Sequence, residues 1–343
     1  MPRRSAPRSR RTNISDVATA AGVSRATVSR VVNGLGTVDP ELVARVRAVM
    51  EELEYTPSGT ARSLSLGVTH TVAMIVPDLG NPMFQKLLQG LTNAAARDGY
   101  RIIVADSQES LEEEAPLARE LRRRSDAIVL AAPRLDGPEL VELLRQVPPA
   151  LVINRSSQDG LVPAVTIDYA AGISALADHL RELGHTRIGY LQGPEHSASS
   201  VYRQERLVEY VADRSEMELV LFECGSSMSD GYDSWPTVRD SGVTAVLAFN
   251  DVVALGLLGR LSEEGVAVPE GISVVGFDDI QFSRFSAPPL TTVAVDHVEM
   301  GETAWRQLQA EMGGAAAPHA ETHFTPRLQA RRSSGPAPIT PGR

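Results

Sequence analysis

The sequence predicts an α/β protein in two parts: a small helix-turn-helix unit of three helices, then a two-lobed core built on parallel sheets. Three observations carry this. Asn13 to Asn33 has the caps and spacing of two short helices around a turn. From Thr71 onward, apolar runs of strand length alternate with helical segments. The two parts also differ in charge: residues 1–67 hold 10 arginines against 6 acidic residues, net +4, and residues 68–343 hold 23 basic and 37 acidic residues, net −14. A basic module on an acidic body can hold phosphates, because screening confines each charge to roughly 10 Å.

The first helix should begin at Ile14, with Asn13 as its cap and Asp16 closing a capping box, and stop at Gly22. Ser24 caps a second helix that ends near Asn33 and Gly34. Ile14, Val17, Ala18, Ala21, Val23, Val28, Val31 and Val32 recur at the spacing of a shared buried face. Opposite it, Arg25 with Ser29 and Ala26 with Arg30 stand four residues apart and flank one exposed face of the second helix. Such a face suits the major groove, where an arginine makes a bidentate contact with guanine. The spacing alone equally fits a solvated helix pair with two ordinary surface arginines. A third helix starts at Asp39-Pro40-Glu41 and should bury Leu42, Val43, Val46, Val49, Met50 and Leu53.

At 343 residues and 43% hydrophobic, the chain can form two or three domains with a sizeable core. It has no apolar run of 18 residues, and its start is polar and arginine-rich, so a cytoplasmic protein without membrane span or secretion signal is expected. The single cysteine, Cys224, cannot form an internal disulfide and reads as structural; no cysteine-histidine cluster has metal-ligand spacing, and no cofactor is expected.

Residues 1–12, with five arginines among serines and prolines, have the composition of a disordered basic arm. The core strands are expected at 72–76, 101–105, 127–130 and 150–153, with helices near 82–98, 110–124 and 137–146. A second run of strands follows at 164–167, 187–191, 219–222, 245–249 and 272–277.

Asp16-Val17-Ala18-x-x-Ala21-Gly22-Val23-Ser24-x-x-Thr27-Val28-Ser29-Arg30-Val31-x-Asn33-Gly34 closely resembles the headpiece of LacI/GalR-type bacterial repressors. The resemblance continues through Pro57-Ser58-Gly59-Thr60-Ala61-Arg62-Ser63-Leu64, similar to that family's hinge helix with Ser58 in place of asparagine. It extends over Gly184-His185-x-Arg187-Ile188, Phe249-Asn250-Asp251, Gly276-Phe277-Asp278-Asp279 and Pro288-Pro289-Leu290-Thr291-Thr292, the landmarks of a periplasmic-binding-protein-like core, to nearly the last residue.

The resemblance implies a homodimeric DNA-binding regulator, most readily a repressor, that binds a pseudo-palindromic double-stranded operator and answers to a small-molecule effector, a sugar or similar polar metabolite. It implies a headpiece at 13–56, a hinge helix at 57–67, a first lobe at about 68–168 plus 296–325, a second at about 169–295 plus 326–335, and a disordered tail at 336–343. The chain should cross between lobes three times, and no leucine-heptad helix follows to form a tetramer. DNA contacts fall on Ser24, Arg25, Ala26, Thr27, Ser29, Arg30, Asn33, Ala61 and Leu64, with Leu64 in the place of an apolar wedge that kinks the duplex. A leucine packing on its neighbours is the plain alternative.

In such sheets ligands sit beyond the carboxyl ends of the strands, where Asp78, Asn154, Arg155, Asn250 and Asp251 lie. Paired acids, amides and arginine suit polyols, whose hydroxyls both donate and accept. The resemblance adds effector-contacting roles for Asn81, Met83, Phe84 and Arg203. For any of these a helix cap or loop hydrogen bond competes, most directly at Asn250 and Asp251, which open a helix. Two departures bear on the ligand: Arg206 stands where the family often has glycine, and Ser226 and Ser227 stand where some sugar-binding members carry an aromatic platform, with Phe84 or Tyr202 as substitutes. An enzyme is the competing class, but the sequence has no phosphate-binding glycine loop and no Gly-x-Ser-x-Gly elbow. His185 reads as a turn residue, and His196 has no evident nucleophile beside it.

Overall fold

The computed structural model describes residues 12–33, 38–55, 68–156, 160–314 and 321–338. The chain divides into two compact units, Met1–His70 and Thr71–Arg343. The first contains α1 (Ile14–Ala21), α2 (Arg25–Val32) and α3 (Pro40–Glu52). Local chemistry sets their ends. Asn13 and Asp16 form the reciprocal capping box, Gly22 takes φ 65° after α1, Ser24 Oγ accepts from Thr27 N–H at 3.1 Å, and Asp39 caps α3 ahead of Pro40. Val17, Val28 and Val46 are fully buried at the centre. The face of α3 is thinner than its sequence suggests: Val46 is its one fully buried residue, and Leu42 lies outside the cluster, because α3 has only two short helices to pack on.

Thr12, expected to end the basic arm, donates through its hydroxyl to Leu53 O at 3.1 Å and is tied to the end of α3. Of the arm expected at 1–12, residues 1–11 lie outside the described residues, as does the hinge helix expected at 57–67, with Ala61 and Leu64.

The second unit runs β1 (Thr71–Val76), α4 (Pro82–Arg97), β2 (Arg101–Asp106), α5 (Leu111–Arg122), β3 (Ala127–Ala131), α6 (Gly137–Gln146), β4 (Ala150–Ile153) and β5 (Ala164–Ile167). It continues through α7 (Tyr169–Glu182), β6 (Arg187–Leu191), α8 (Ala198–Ala212), β7 (Glu218–Phe222), α9 (Met228–Asp233), α10 (Trp235–Arg239), β8 (Ala245–Ala248), α11 (Asp251–Glu263) and β9 (Ser273–Val275). The last elements are β10 (Thr292–Ala294), α12 (His297–Met312), β11 (Glu321–Phe324) and β12 (Arg327–Gln329).

Two parallel sheets result, in the orders β11-β5-β4-β3-β1-β2 and β7-β6-β8-β9, with β10 and β12 paired antiparallel. Strands β1, β3 and β4 are buried on both faces, which is why they read as unbroken apolar runs. The strand at 164–167, which opens the second run in the sequence, pairs with β4 and β11 in the first sheet. Its local pattern gives no sign of this, since sheet membership depends on partners far along the chain, although the first lobe that the resemblance implies, at about 68–168, includes it. The chain leaves the first sheet after β5, runs through the second to β10, which is bridged to β9 by Val275 and Thr291, returns to the first sheet for β11 and leaves it again for β12.

Helices α4 and α12 cross at backbone contact beside the first sheet. A Cβ on Gly90 would lie 2.0 Å from Val298 O, and one on Gly301 would lie 2.2 Å from Leu87 O. The tail is tied down further than expected: Ala337 N–H donates to Leu183 O at 2.8 Å, and Gly335 O meets His185 Nε2 at 3.0 Å. His185, fully buried and also bonded to Thr244 and Ser273, is therefore a staple for the chain's end.

Candidate functional site

On α2, Ser24, Arg25, Ala26 and Arg30 are exposed, and Thr27, Ser29 and Asn33 are half-buried. The hydroxyls of Ser24 and Thr27 sit 2.9 Å apart at the helix start, and Asn33 Nδ2 reaches Ser29 Oγ at 3.4 Å. The two arginine side chains thus project from a helix whose small polar residues hold its ends. This is a surface suited to the major groove, with its first turn carrying the arginine.

The second candidate is a crevice at the carboxyl ends of both sheets. From the first sheet it receives Asp78 after β1, Glu109 after β2, Ala132 and Arg134 after β3, and Asn154 after β4; Asn81, Met83 and Phe84 come from the start of α4. From the second it receives Ser226 after β7, Phe249 and Asn250 after β8, Asp278 after β9, and Ser199 from α8. The free volume between them is about 20 Å³, room for a single water.

Backbone strain concentrates here. Glu109 (φ 60°), Ala132 (φ 49°), Asn154 (φ 55°) and Asp278 (φ 110°) all line the crevice with left-handed φ and none is glycine. Each such residue costs on the order of 1–3 kcal/mol, and strain of this kind gathers at ligand clamps.

Several lining groups are already committed. Arg134 is gripped by the Glu109 carboxylate through Nε and through Nη2 at 2.7 Å, and its Nη1 donates to Ala132 O at 2.8 Å. Buried Glu114 accepts from the backbone N–H of Arg134 and of Leu135, which fixes that loop; burial raises its pKa while these bonds lower it. Asn81 accepts from Met83 N–H as the cap of α4, Asp78 accepts from Gly80 N–H, and Asn250 caps α11 through Val253 N–H while donating to Ser226 O. Asn154 differs: it is 4% exposed, and its Oδ1 has no partner among the described residues. A buried acceptor left open costs roughly 1–3 kcal/mol, so this atom is one that a ligand hydroxyl or N–H would satisfy.

Three expected contacts stand elsewhere. The Asp251 carboxylate does not line the crevice. It turns into its own lobe, accepting from Thr292 Oγ1 at 2.6 Å, Ser283 Oγ at 2.5 Å and Ile280 N–H at 3.0 Å, so its acceptors are spent on the segment 280–292. Burial and the neighbouring Asp278 push it up to about 8, against the pull of those three bonds. Gly276 is required beside it, since a Cβ there would lie 2.2 Å from Asp251 Oδ1.

Arg203 is likewise behind the lining. Its guanidinium donates to Phe249 O, lies 3.5 Å from Asp278 Oδ1 and stacks 3.8 Å over the Phe277 ring. Burial pushes Asp278 up to about 6, opposed by Arg203. Arg155, 7% exposed, lines with Tyr202 and Arg206 an adjoining cavity of about 420 Å³ that shares only Asn154 with the crevice. Tyr202 is therefore no platform for a ligand in the crevice, whereas Phe84 and Phe249 are present in it. Arg206 causes no crowding, being exposed on an unbroken α8 beside Glu209. Ser227 caps α9, and Ser226 contributes its carbonyl.

Sequence reasoning passed over Glu109, Arg134, Ser199, Phe249 and Asp278. All but Ser199 follow a strand's carboxyl end, so the rule that selected Asp78 would also have selected them.

The two parts match different family models: residues 13–58 match the bacterial regulatory proteins of the lacI family, and residues 177–334 match a periplasmic binding protein-like domain. The transcriptional regulator MalR of Streptomyces coelicolor is 34% identical over 97% of this chain and 99% of its own length. Among solved structures, the Lac repressor dimer bound to operator and the anti-inducer ONPF superposes with a TM-score of 0.83 at 27% identity, over 95% of this chain and 100% of that one. A complex of the regulator CelR with cellobiose gives 0.70 at 27%, over 94% and 100%.

Proposed function

The chain belongs to the LacI family of bacterial regulatory proteins, and from that premise we propose that it is a homodimeric repressor whose operator affinity is set by a sugar held between its two lobes. The single observation that carries the effector site is Asn154 Oδ1, a buried acceptor without a partner among the described residues, in a crevice where four strained residues converge. Asp78, Asn81, Met83, Phe84, Asn154 and Asn250 are assigned direct contact, with Asp278, Glu109 and Arg134 added. Arg203 and Asp251 are assigned positioning roles behind Asp278 and the segment 280–292. Acids, amides and a guanidinium in one crevice suit the paired donors and acceptors of a polyol. The sugar named in the CelR complex supports that class.

With room for one water, the crevice admits a sugar only as the lobes part or side chains shift. Binding therefore selects between closure states, and it shifts DNA affinity only if the ligand favours one of them. The lobes are assigned as 68–168 plus 296–325 and 169–295 plus 326–335, in keeping with the membership of the two sheets. Residues 57–67 are assigned to a hinge that inserts Leu64, beside Ala61, into the minor groove. Ser24, Arg25, Ala26, Thr27, Ser29, Arg30 and Asn33 are assigned to the major groove.

We assign a sensor and not an enzyme. His185 has both nitrogens bonded in the interior, and His196 lies exposed in a loop. No helix among the described residues is long and apolar enough to cross a membrane, and a repressor acts where the DNA is, in the cytoplasm. A thermal-shift screen of sugars and nucleobases tests the effector class. A shift with one sugar, lost in Asn154→Ala, is expected; a nucleobase shift alone would overturn the sugar assignment, and a ligand shift unchanged in Asn154→Ala would overturn the site.

A further inference from the structure

Beside the crevice lies a space that the effector site described above does not use. The turn after β4 supplies two consecutive side chains: Asn154 borders both the crevice and the adjoining cavity of about 420 Å³, and Arg155 borders the cavity alone. The first sheet walls that cavity with Thr166 of β5 and with Glu321 and His323 of β11, and α8 walls it with Tyr202 and Arg206. The two spaces meet at Asn154. A volume of 420 Å³ falls in the range of small-molecule sites, so this space admits a ligand group as it stands, whereas the crevice must first open.

The polar groups of the cavity are unfinished. Arg155 is 7% exposed and makes no hydrogen bond or ion pair among the described residues; its charge reaches Glu114 only through space. A guanidinium withdrawn from water calls for acceptors and is costly without them. Its neighbour Asn154 leaves Oδ1 open, so one turn sets an unused acceptor beside unused donors. Arg206 pairs with Glu209 on its own helix, but both ends are well exposed, which makes that pair weak in water.

Facing these arginines is a carboxylate. Glu321 Oε1 lies 3.5 Å from Thr166 Oγ1 and 3.8 Å from His323 Nε2, while His323 Nδ1 lies 2.8 Å from the same Thr166 hydroxyl. Donors and an acceptor of opposite charge in one cavity suit hydroxyls, which both accept and donate, better than they suit an anion. The remaining wall is aromatic. Tyr202 stacks on Tyr169 with ring centroids 6.4 Å apart and planes 21° apart, yet the residue stays 42% exposed. A sugar ring has an apolar face of C–H groups rimmed by hydroxyls, and such a face packs on a fixed aromatic ring.

We propose that this cavity is a second sugar subsite and that the effector is a disaccharide, one ring in the crevice and the next packed on Tyr202, with hydroxyls accepting from Arg155 and Arg206 and donating to Glu321. A monosaccharide in the crevice would leave Arg155 without an acceptor and Tyr202 uncovered. The inference rests on the sugar-sensor reading of the crevice and narrows its ligand class.

The test is isothermal titration calorimetry on the full-length protein with glucose, galactose, mannose and xylose, and with maltose, isomaltose, cellobiose, lactose, melibiose and xylobiose. One disaccharide should bind about tenfold or more tighter than its constituent monosaccharides. Tyr202→Ala should erase that advantage while the monosaccharide still binds, and Tyr202→Phe should keep it, since the ring remains. Arg155→Met, which keeps the bulk of the side chain and removes its donors, should reduce it. A monosaccharide that binds as tightly as every disaccharide, or an advantage that survives either Tyr202→Ala or Arg155→Met, overturns the subsite and leaves the crevice reading intact. A Tyr202→Ala variant that loses the monosaccharide as well also overturns it, because Tyr202 would then support the crevice itself. If no sugar in the panel binds, the sugar-sensor reading is overturned, and this inference with it.

Discussion

The exposed face of α2 and the crevice between the sheets are both recognition surfaces, yet they hold their side chains in opposite ways. On α2, Arg25 and Arg30 stand in solvent, and the capping bond runs between Ser24 and Thr27. In the crevice, Asp78, Asn81, Glu109, Arg134 and Asn250 are each bound to another part of the protein, with Asn154 Oδ1 left over. Substitution on the helix should therefore remove a contact with DNA and little else. Behind the crevice, substitution removes structure.

The sharpest break in that contrast lies at Asp251. Asp251→Ala leaves two buried hydroxyls and a backbone N–H without their acceptor, and should cost roughly 3–5 kcal/mol in denaturant unfolding. A cost below about 1 kcal/mol would restore Asp251 as a simple surface ligand. His297 gives the next effect. Burial first, and Arg203 second, lower its pKa to about 4 from 6.5. A depressed histidine contributes stability above the unfolded value of 6.5, and that contribution is lost as pH falls from 6.5 toward 4, reaching roughly 3 kcal/mol. Asp251 and Asp278, with raised values, titrate over part of the same range with the opposite sign, so the readout is the stability of wild type relative to His297→Gln, which should fall by roughly 3 kcal/mol as pH drops from 6.5 to 4. A difference that stays constant with pH would mean that His297 charges freely in the folded state.

Arg25→Ala should cost about 1–3 kcal/mol at one or two operator positions, read from affinities for a set of single-base variants. An equal loss on all sequences would mark a phosphate contact instead. Smallest in stability should be Asn154→Ala, which removes an acceptor that none of the described residues uses; an unfolding change within about 1 kcal/mol is expected despite its burial.

How far the sequence discloses each region follows the same division. The headpiece is legible because its signals are local: Asn13, Gly22, Ser24 and Pro40 set helix ends within a few residues of themselves. The helix expected near 137–146 is found over Gly137–Gln146, with Pro138 in its first turn and no side-chain cap bond from Asp136. The crevice is only partly legible. Strand ends identify Asp78, Asn154 and Asn250, but not whether Asp251 or Asp278 faces inward, since that depends on Thr292 and Ser283, which lie 41 and 32 residues from Asp251 in the chain. Sheet membership of β5 and the fastening of the tail at Ala337 are equally non-local. Even the resemblance that placed Arg203 and Asp251 in contact with effector could not report what they touch in this chain.

The measurement closest to the central claim is operator affinity with and without the identified sugar, for wild type and Asn154→Ala side by side. The sugar should change wild-type affinity by tenfold or more, which corresponds to about 1.4 kcal/mol of coupling. Asn154→Ala should bind the free operator within a few-fold of wild type and lose that change. A variant that still answers fully to the sugar would contradict an effector site in this crevice.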